Sequence, residues 1–335
     1  MSKPTVLVTR KWPAEVEAEL KTKYDVTFNE SDVAMTIPEL QKAFQNYDCV
    51  CPTVTDPINE EVLSVENKKA KIIASFGVGF NHIDLDVAKK EGLVVTNTPE
   101  VLTACTADIA MTLLLSAARR TGEGERELRS GEWAGWRPTH LRGTQVTGKT
   151  LGCIGFGRIA QATADRAHFG FGMKIIFSDP YMPSDEVIKK YSATPCSSVE
   201  EVLEKADFVS IHCPGGESTY HLMNKERIGM MKKGAYLINS ARGDVIDNDA
   251  LIEALKNKTI AGAGLDVFEG EPELNPGFLE CENAVLLPHL GSASIETRIA
   301  MGMRVLENME AYYNNKEPGD LSLIHISEPT RRRGI

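Results

Sequence analysis

Three residues of types that could handle a small acid stand just past strand-like runs: Arg242 in NSARGDVID, Glu271 in FEGEPEL and His289 in LLPHLGS. The planar fork of an arginine suits bidentate capture of a carboxylate. A histidine exchanges protons near neutral pH, and a neighbouring carboxylate favours the protonated form. Taken singly, each has a plainer reading: a surface ion pair, a solvated loop residue, a packed histidine. In an open α/β sheet, however, ligands bind in the loops beyond the carboxyl ends of strands, so three such groups at three strand ends can converge on one molecule.

A second constellation lies upstream. Gly155-Phe156-Gly157-Arg158-Ile159-Ala160 follows the strand-like TLGCI and opens the helical pattern IAQATADRAH, which is the setting a GxGxxG/A fingerprint requires. The glycines let backbone amides approach a pyrophosphate at the positive end of a helix. Asp179 ends the next strand-like run, IIFSD, where an acid can hydrogen-bond an adenosine ribose. A carboxylate there repels a 2′-phosphate, and no Arg or Lys follows it in Asp-Pro-Tyr. The expected cofactor is therefore NAD(H) in preference to NADP(H).

The elements that must position these residues come in two series. Short β-branched runs alternate with helical patterns in TVLVT, YDVTF, DCVCPT, KIIASF and LVVTNT, and again from Thr150 in TLGCIG, MKIIFSD, FVSIH, AYLINS, IAGAGLDV and AVLLPH. Strands separated by helices imply parallel pairing, so the fold class is α/β with two doubly wound parallel-sheet domains. ACTADIAMTLLLSAARR, apolar on nearly every side, reads as a buried helix between the two series. SIETRIAMGMRVLENMEAYYNN follows the last strand and could return the chain to the first domain.

Composition narrows the class. With 335 residues, about two domains are expected. A hydrophobic share of 42% and a charged share of 25% fit a folded globular chain. A net charge of −10 makes nucleic acid a poor partner. No apolar run reaches the ~18 residues of a membrane span. The seven cysteines are odd in number and lack paired CxxC spacing, which favours reduced thiols, no metal site and a cytoplasmic location. Residues 321–335, LSLIHISEPTRRRGI, resemble the translation of a sequencing-library adapter, and they are set apart from the fold as a non-native tail.

In order and spacing, SFGVGFNHID, the glycine fingerprint with its Asp179, HCPGGESTYHL, INSARGDVID, GLDVFEGEP and LLPHLGSAS resemble the D-isomer-specific 2-hydroxyacid dehydrogenases, over about residues 5 to 318. The resemblance implies a Rossmann nucleotide-binding domain over 101–290 and a smaller, discontinuous, flavodoxin-like substrate domain over 1–100 and 291–320, with a cleft between them. It implies a catalytic triad in which Arg242 binds the carboxylate of a 2-keto acid, His289 donates a proton to its carbonyl oxygen, and Glu271 holds His289 protonated. Val78 and Gly79 would offer backbone amides to the same carboxylate. The cofactor set it implies comprises Thr106, Gly155, Gly157, Arg158, Ile159, Asp179, Pro214, Thr219, Ser240, Ala241, Asp266 and His289. Asp266 would meet the nicotinamide carboxamide, and Pro214 would line the adenine pocket. Gly215-Gly216 stand where the family more often has bulkier residues, so a looser adenine pocket is expected.

WAGWRPTHLRG, with Trp133 and Trp136, resembles the glyoxylate and hydroxypyruvate reductase branch, in which a Trp reaches towards the partner subunit's active site. That implies a homodimer, with Trp136 shaping a pocket for a small 2-keto or 2-hydroxy acid. A phosphoglycerate dehydrogenase-type or other D-2-hydroxyacid dehydrogenase is the alternative. An NAD(H)-sensing corepressor, whose output is partner binding, is the alternative of another class.

Overall fold

Each β-branched run singled out in the sequence forms a strand, and helices alternate with the strands. The computed structural model describes residues 3–321. The chain divides into two units, one taking in the residues up to Leu102 and from Ser294 onward, the other Thr103–Ala293.

The first unit runs β1 (Thr5–Val8), α1 (Ala14–Lys23), β2 (Asp25–Phe28), α2 (Ile37–Asn46), β3 (Cys49–Cys51), α3 (Glu60–Leu63), β4 (Ile72–Ala74), α4 (Leu85–Lys90) and β5 (Val94–Thr96). Its sheet has the order β2-β1-β3-β4-β5, all parallel, with Leu7 in register with Thr27 on one side and Val50 on the other. Every residue of β3 and β4 is buried, as expected for a parallel sheet covered on both faces. Asn59 and Asp84 cap α3 and α4 by accepting from the amides of Val62 and Val87.

The second unit opens with α5 (Thr103–Arg119) and α6 (Thr121–Ser130). It continues through β6 (Thr150–Ile154), α7 (Arg158–Asp165), β7 (Lys174–Ser178), α8 (Asp185–Tyr191), β8 (Thr194–Pro195), α9 (Val199–Lys205), β9 (Phe208–Ile211), α10 (Lys225–Met230), β10 (Tyr236–Asn239), α11 (Asn248–Lys256), β11 (Gly262–Leu265) and β12 (Ala284–Leu286). The parallel order is β12-β11-β10-β9-β6-β7-β8. It reverses between β6 and β9, the topological switch point at which ligands bind in open α/β sheets.

Two details depart from the sequence reading. β8 is an unexpected edge strand, two residues long and ending in a proline that an interior position would not tolerate. α5 is apolar on most but not all sides: Ala104, Asp108, Thr112 and Arg119 leave one exposed stripe. Its buried face, including Ala110, Leu113, Leu114 and Ala117, lies against the sheet of its own unit.

After β12 the chain enters α12 (Ile295–Tyr313), which belongs to the first unit. Met301, Val305, Leu306 and Met309 of α12 complete an apolar cluster with Val6, Val8, Val16 and Leu20. Of the tail, Leu321 forms a bridge with Thr96, and residues 322–335 lie outside the described residues. No described helix is long and apolar enough to cross a membrane.

Candidate active site

The loops after β6, β7, β9, β10, β11 and β12 of the second unit carry most of the residues singled out by the sequence. The turn after β6 is built for close approach. Gly155 has φ +84°, and a Cβ there would lie 2.9 Å from the amide nitrogen of Cys213, so only glycine fits. Gly157 is the N-cap of α7, no side chain closes the first turn, and nothing lies within 4 Å of where a Cβ would sit. The open turn and the amide end of α7 fit a pyrophosphate. Arg158 is exposed, Ile159 half-buried and Ala160 fully buried. Ala160 replaces the third fingerprint glycine in the packed interior.

Asp179 stands at the lip of this turn. Its carboxylate accepts from the amides of Phe156 at 2.6 Å and Tyr181 at 2.7 Å. That fixes a negative charge beside the turn, where a ribose hydroxyl could bind.

The His289 loop is held from several sides. His289 has φ +56°, an uncommon conformation for a residue with a side chain. Its amide donates to the carbonyls of Asp266 and Leu287. Its Nδ1 lies 2.7 Å from Glu271 Oε2, and since a carboxylate only accepts, Nδ1–H donates and Nε2 is the ring atom left for another partner. The other oxygen of Glu271 accepts from the amide of Phe268 at 2.7 Å. Burial pushes the Glu271 carboxyl up. The bonds from His289 and Phe268, with the charge of Arg242, outweigh that and hold it below its ordinary range.

Arg242 follows β10 in a turn shaped by Asn239, a residue the sequence reading passed over. The fully buried Asn239 side chain accepts from the amide of Ala241 and donates to the carbonyl of Arg242. The Arg242 guanidinium is half-buried, so burial lowers its pKa, while Asp244 and Glu271 act in the opposite direction. It donates to the carbonyl of Ala241 and forms no ion pair among the described residues. A partly desolvated cation without a carboxylate partner fits an anionic substrate. In the same turn, Ser240 Oγ is buried and has no hydrogen-bond partner among the described residues.

Several expected contacts have partners within the unit. Asp266 is fully buried, and its two oxygens accept from the amides of Leu290 and Gly291, each at 2.7 Å. Burial raises its pKa against those bonds. Thr106 donates to the carbonyl of Gly291 at 2.9 Å. Both residues therefore brace the loop that carries His289. Thr219 donates to the carbonyl of Pro214 and closes the loop after β9 on itself, with Pro214 exposed. The space beside Gly215 is not empty: Asp244 Oδ1 lies 2.5 Å from where a Cβ would sit, so the glycine makes room for a carboxylate. That carboxylate also accepts from the amide of Gly216.

In the first unit, Asn97 donates to the carbonyl of Val78 and the amide of Thr98 to that of Gly77. The amides of Val78 and Gly79 are left without partners among the described residues. Trp136 lies in a stretch without helix or strand and is 82% exposed, with Trp133 at 52%. Among the described residues no three His, Cys, Asp or Glu side chains gather in a way that could hold a metal ion.

Comparison with known proteins decides the family. Residues 111–291 match the NAD binding domain of D-isomer specific 2-hydroxyacid dehydrogenases. The chain is 42% identical to the glyoxylate reductase of Thermococcus litoralis, over 95% of this chain and 96% of that protein. The chain belongs to the D-isomer specific 2-hydroxyacid dehydrogenase family. The glycerate dehydrogenase of Hyphomicrobium methylovorum also matches nearly end to end, at 37% identity over 95% of this chain and 98% of that protein. Among solved structures, the TT0316 protein of Thermus thermophilus superposes with a TM-score of 0.87 at 39% identity, covering 95% of this chain and 100% of that one. The second unit of the dehydrogenase thus takes a nicotinamide cofactor, and its open glycine turn accords with that.

Proposed function

We propose that this dehydrogenase reduces a small 2-keto acid, glyoxylate or hydroxypyruvate, to the D-2-hydroxy acid with NADH, and catalyses the reverse oxidation. The observation that carries the reading is the His289–Glu271 pair beside an Arg242 guanidinium without an ion-pair partner among the described residues. When bound, the reduced nicotinamide supplies the hydride to the carbonyl carbon.

The chain's own residues do the rest. Arg242 takes the substrate carboxylate and polarises the carbonyl; the amides of Val78 and Gly79, without partners among the described residues, suit a carboxylate. His289 gives its Nε2 proton to the carbonyl oxygen as the alkoxide forms. Glu271, kept ionised, stabilises the imidazolium through Nδ1 and fixes the ring. In oxidation His289 takes the proton back. Gly155, Gly157, Arg158 and Ile159 are the proposed pyrophosphate site, with Ser240, Ala241, Pro214 and Thr219 on neighbouring strand ends. Asp266 and Thr106 act through the loop they brace.

The preference for NADH over NADPH rests on Asp179, whose fixed charge opposes a 2′-phosphate. The first unit is the proposed substrate domain and the second the nucleotide domain. The proposal includes a homodimer, supported by exposed Leu128, Trp133 and Trp136 on α6 and the stretch after it, with Trp136 serving the partner's pocket. It also includes a cytoplasmic location, in keeping with seven free thiols.

The test is the initial rate of NADH oxidation with glyoxylate, hydroxypyruvate and pyruvate, run beside NADPH. Fast turnover of the first two with NADH supports the reading. Turnover of pyruvate alone, or preference for NADPH, contradicts it.

A further inference from the structure

Three loops that carry the proposed chemistry are laced together by side chains outside the triad. Glu269, two residues before Glu271, accepts from Tyr220 Oη at 2.9 Å through one oxygen and from His221 Nε2 at 3.0 Å through the other. The Tyr220 and His221 rings stack, with centroids 3.9 Å apart and 14° between planes. Both belong to the loop after β9, the one that Thr219 closes onto Pro214.

The backbone supports the same arrangement. His221 has φ +48°, a conformation that persists for such a residue only where its surroundings over-determine it. Its amide donates to the carbonyl of Asp244 at 2.8 Å. On the other side, the Arg242 turn packs against Phe268 and Glu269 so closely that a Cβ on Gly243 would lie 1.9 Å from the Phe268 carbonyl carbon. Phe268 is the residue whose amide fixes Glu271. A shift of Glu269 therefore disturbs the amide that orients the triad carboxylate, and it also releases the loop after β9.

We propose that Glu269 is a positioning residue that couples the cofactor-side loop, through Tyr220 and His221, to the turn presenting Glu271. The proposal rests on the dehydrogenase reading above. It predicts that cofactor affinity and the proton-transfer step are disturbed together, while capture of the substrate carboxylate by Arg242, whose turn is held separately by Asn239, is not.

The experiment measures the NADH dissociation constant by fluorescence, and kcat and KM for the keto acid, in Glu269→Ala, Glu269→Gln and Tyr220→Phe. Glu269→Ala loses both bonds and should weaken NADH binding and lower kcat by about tenfold each, with KM within about twofold. Glu269→Gln keeps an acceptor for Tyr220 and, with the other His221 tautomer, a donor for the ring, so it should restore most of both. Tyr220→Phe, at a ring 55% exposed, removes one of the two bonds and should weaken NADH binding by a smaller factor. Unchanged NADH affinity in Glu269→Ala, a change in only one of affinity and kcat, or no rescue by Gln would overturn the proposal. Since NADH binding needs no substrate, failure of the wild type to turn over counts against the proposed reaction, whereas unchanged affinity counts against Glu269.

Discussion

Glu271→Gln tests the account where its chemistry is most specific. Gln can still accept from the amide of Phe268, so the loop keeps its anchor. Its NH2 group then faces Nδ1 of His289 and cannot accept the proton there. The cation that must release its Nε2 proton thereby loses its partner. A charge-assisted hydrogen bond contributes about 1.5–3 kcal/mol. The two side chains are 38% and 31% exposed, so solvent screening places this pair in the lower part of that range. About 1.5–2 kcal/mol on the barrier lowers kcat roughly 10- to 30-fold, with KM for the keto acid little changed because Arg242 is untouched.

Stability should follow with a defined sign. The Glu271 pKa is depressed in the folded protein, so its contribution is present at neutral pH and lost as pH falls through the folded value, below the usual ~4.3. Steady-state NADH oxidation and denaturant melts at several pH values read both effects. A Glu271→Gln enzyme with wild-type kcat, or one whose whole loss lies in KM, would refute the reasoning.

Arg242→Lys keeps a charge but loses the planar fork, so KM for the keto acid should rise by about tenfold or more, as measured by steady-state kinetics. Asp179→Ser should raise kcat/KM with NADPH relative to NADH, and an unchanged cofactor ratio would remove the role given to that carboxylate. Asp266→Ala leaves the half-buried amide of Leu290 and the buried amide of Gly291 without acceptors, at about 1–3 kcal/mol for the buried one and less for the other, and denaturant melts should show the loss. The same variant should lower kcat, because the loop carrying His289 loosens.

The strands of both sheets were legible because β-branched runs alternate with helical periodicity, and the family was legible because its motifs keep their order. β8 escaped because two residues ending in proline carry no strand pattern. The proposed triad of Arg242, Glu271 and His289 could be named, but not how its members are held. A sequence does not show that both oxygens of Asp266 are taken by amides 24 and 25 residues away, or that Asn239 folds the Arg242 turn. Strand-end Asn and Asp side chains that satisfy loop amides are the signal that could have found them. Gly215-Gly216 suggested extra room: Asp244 fills the space beside Gly215, which depends on the neighbouring strand and not on the local run, while nothing lies within 4 Å of where a Cβ on Gly216 would sit. Trp136 shows a further limit, since a residue proposed to serve a partner subunit is an exposed side chain in a single chain.

The most direct test of the central claim is hydroxypyruvate reduction by NADH in the wild type and in His289→Ala, with the handedness of the product determined. The account predicts rapid formation of D-glycerate by the wild type and a loss of kcat of at least about a hundredfold in the variant, with NADH still bound. Equal rates in the two proteins, or an L-product, would contradict it.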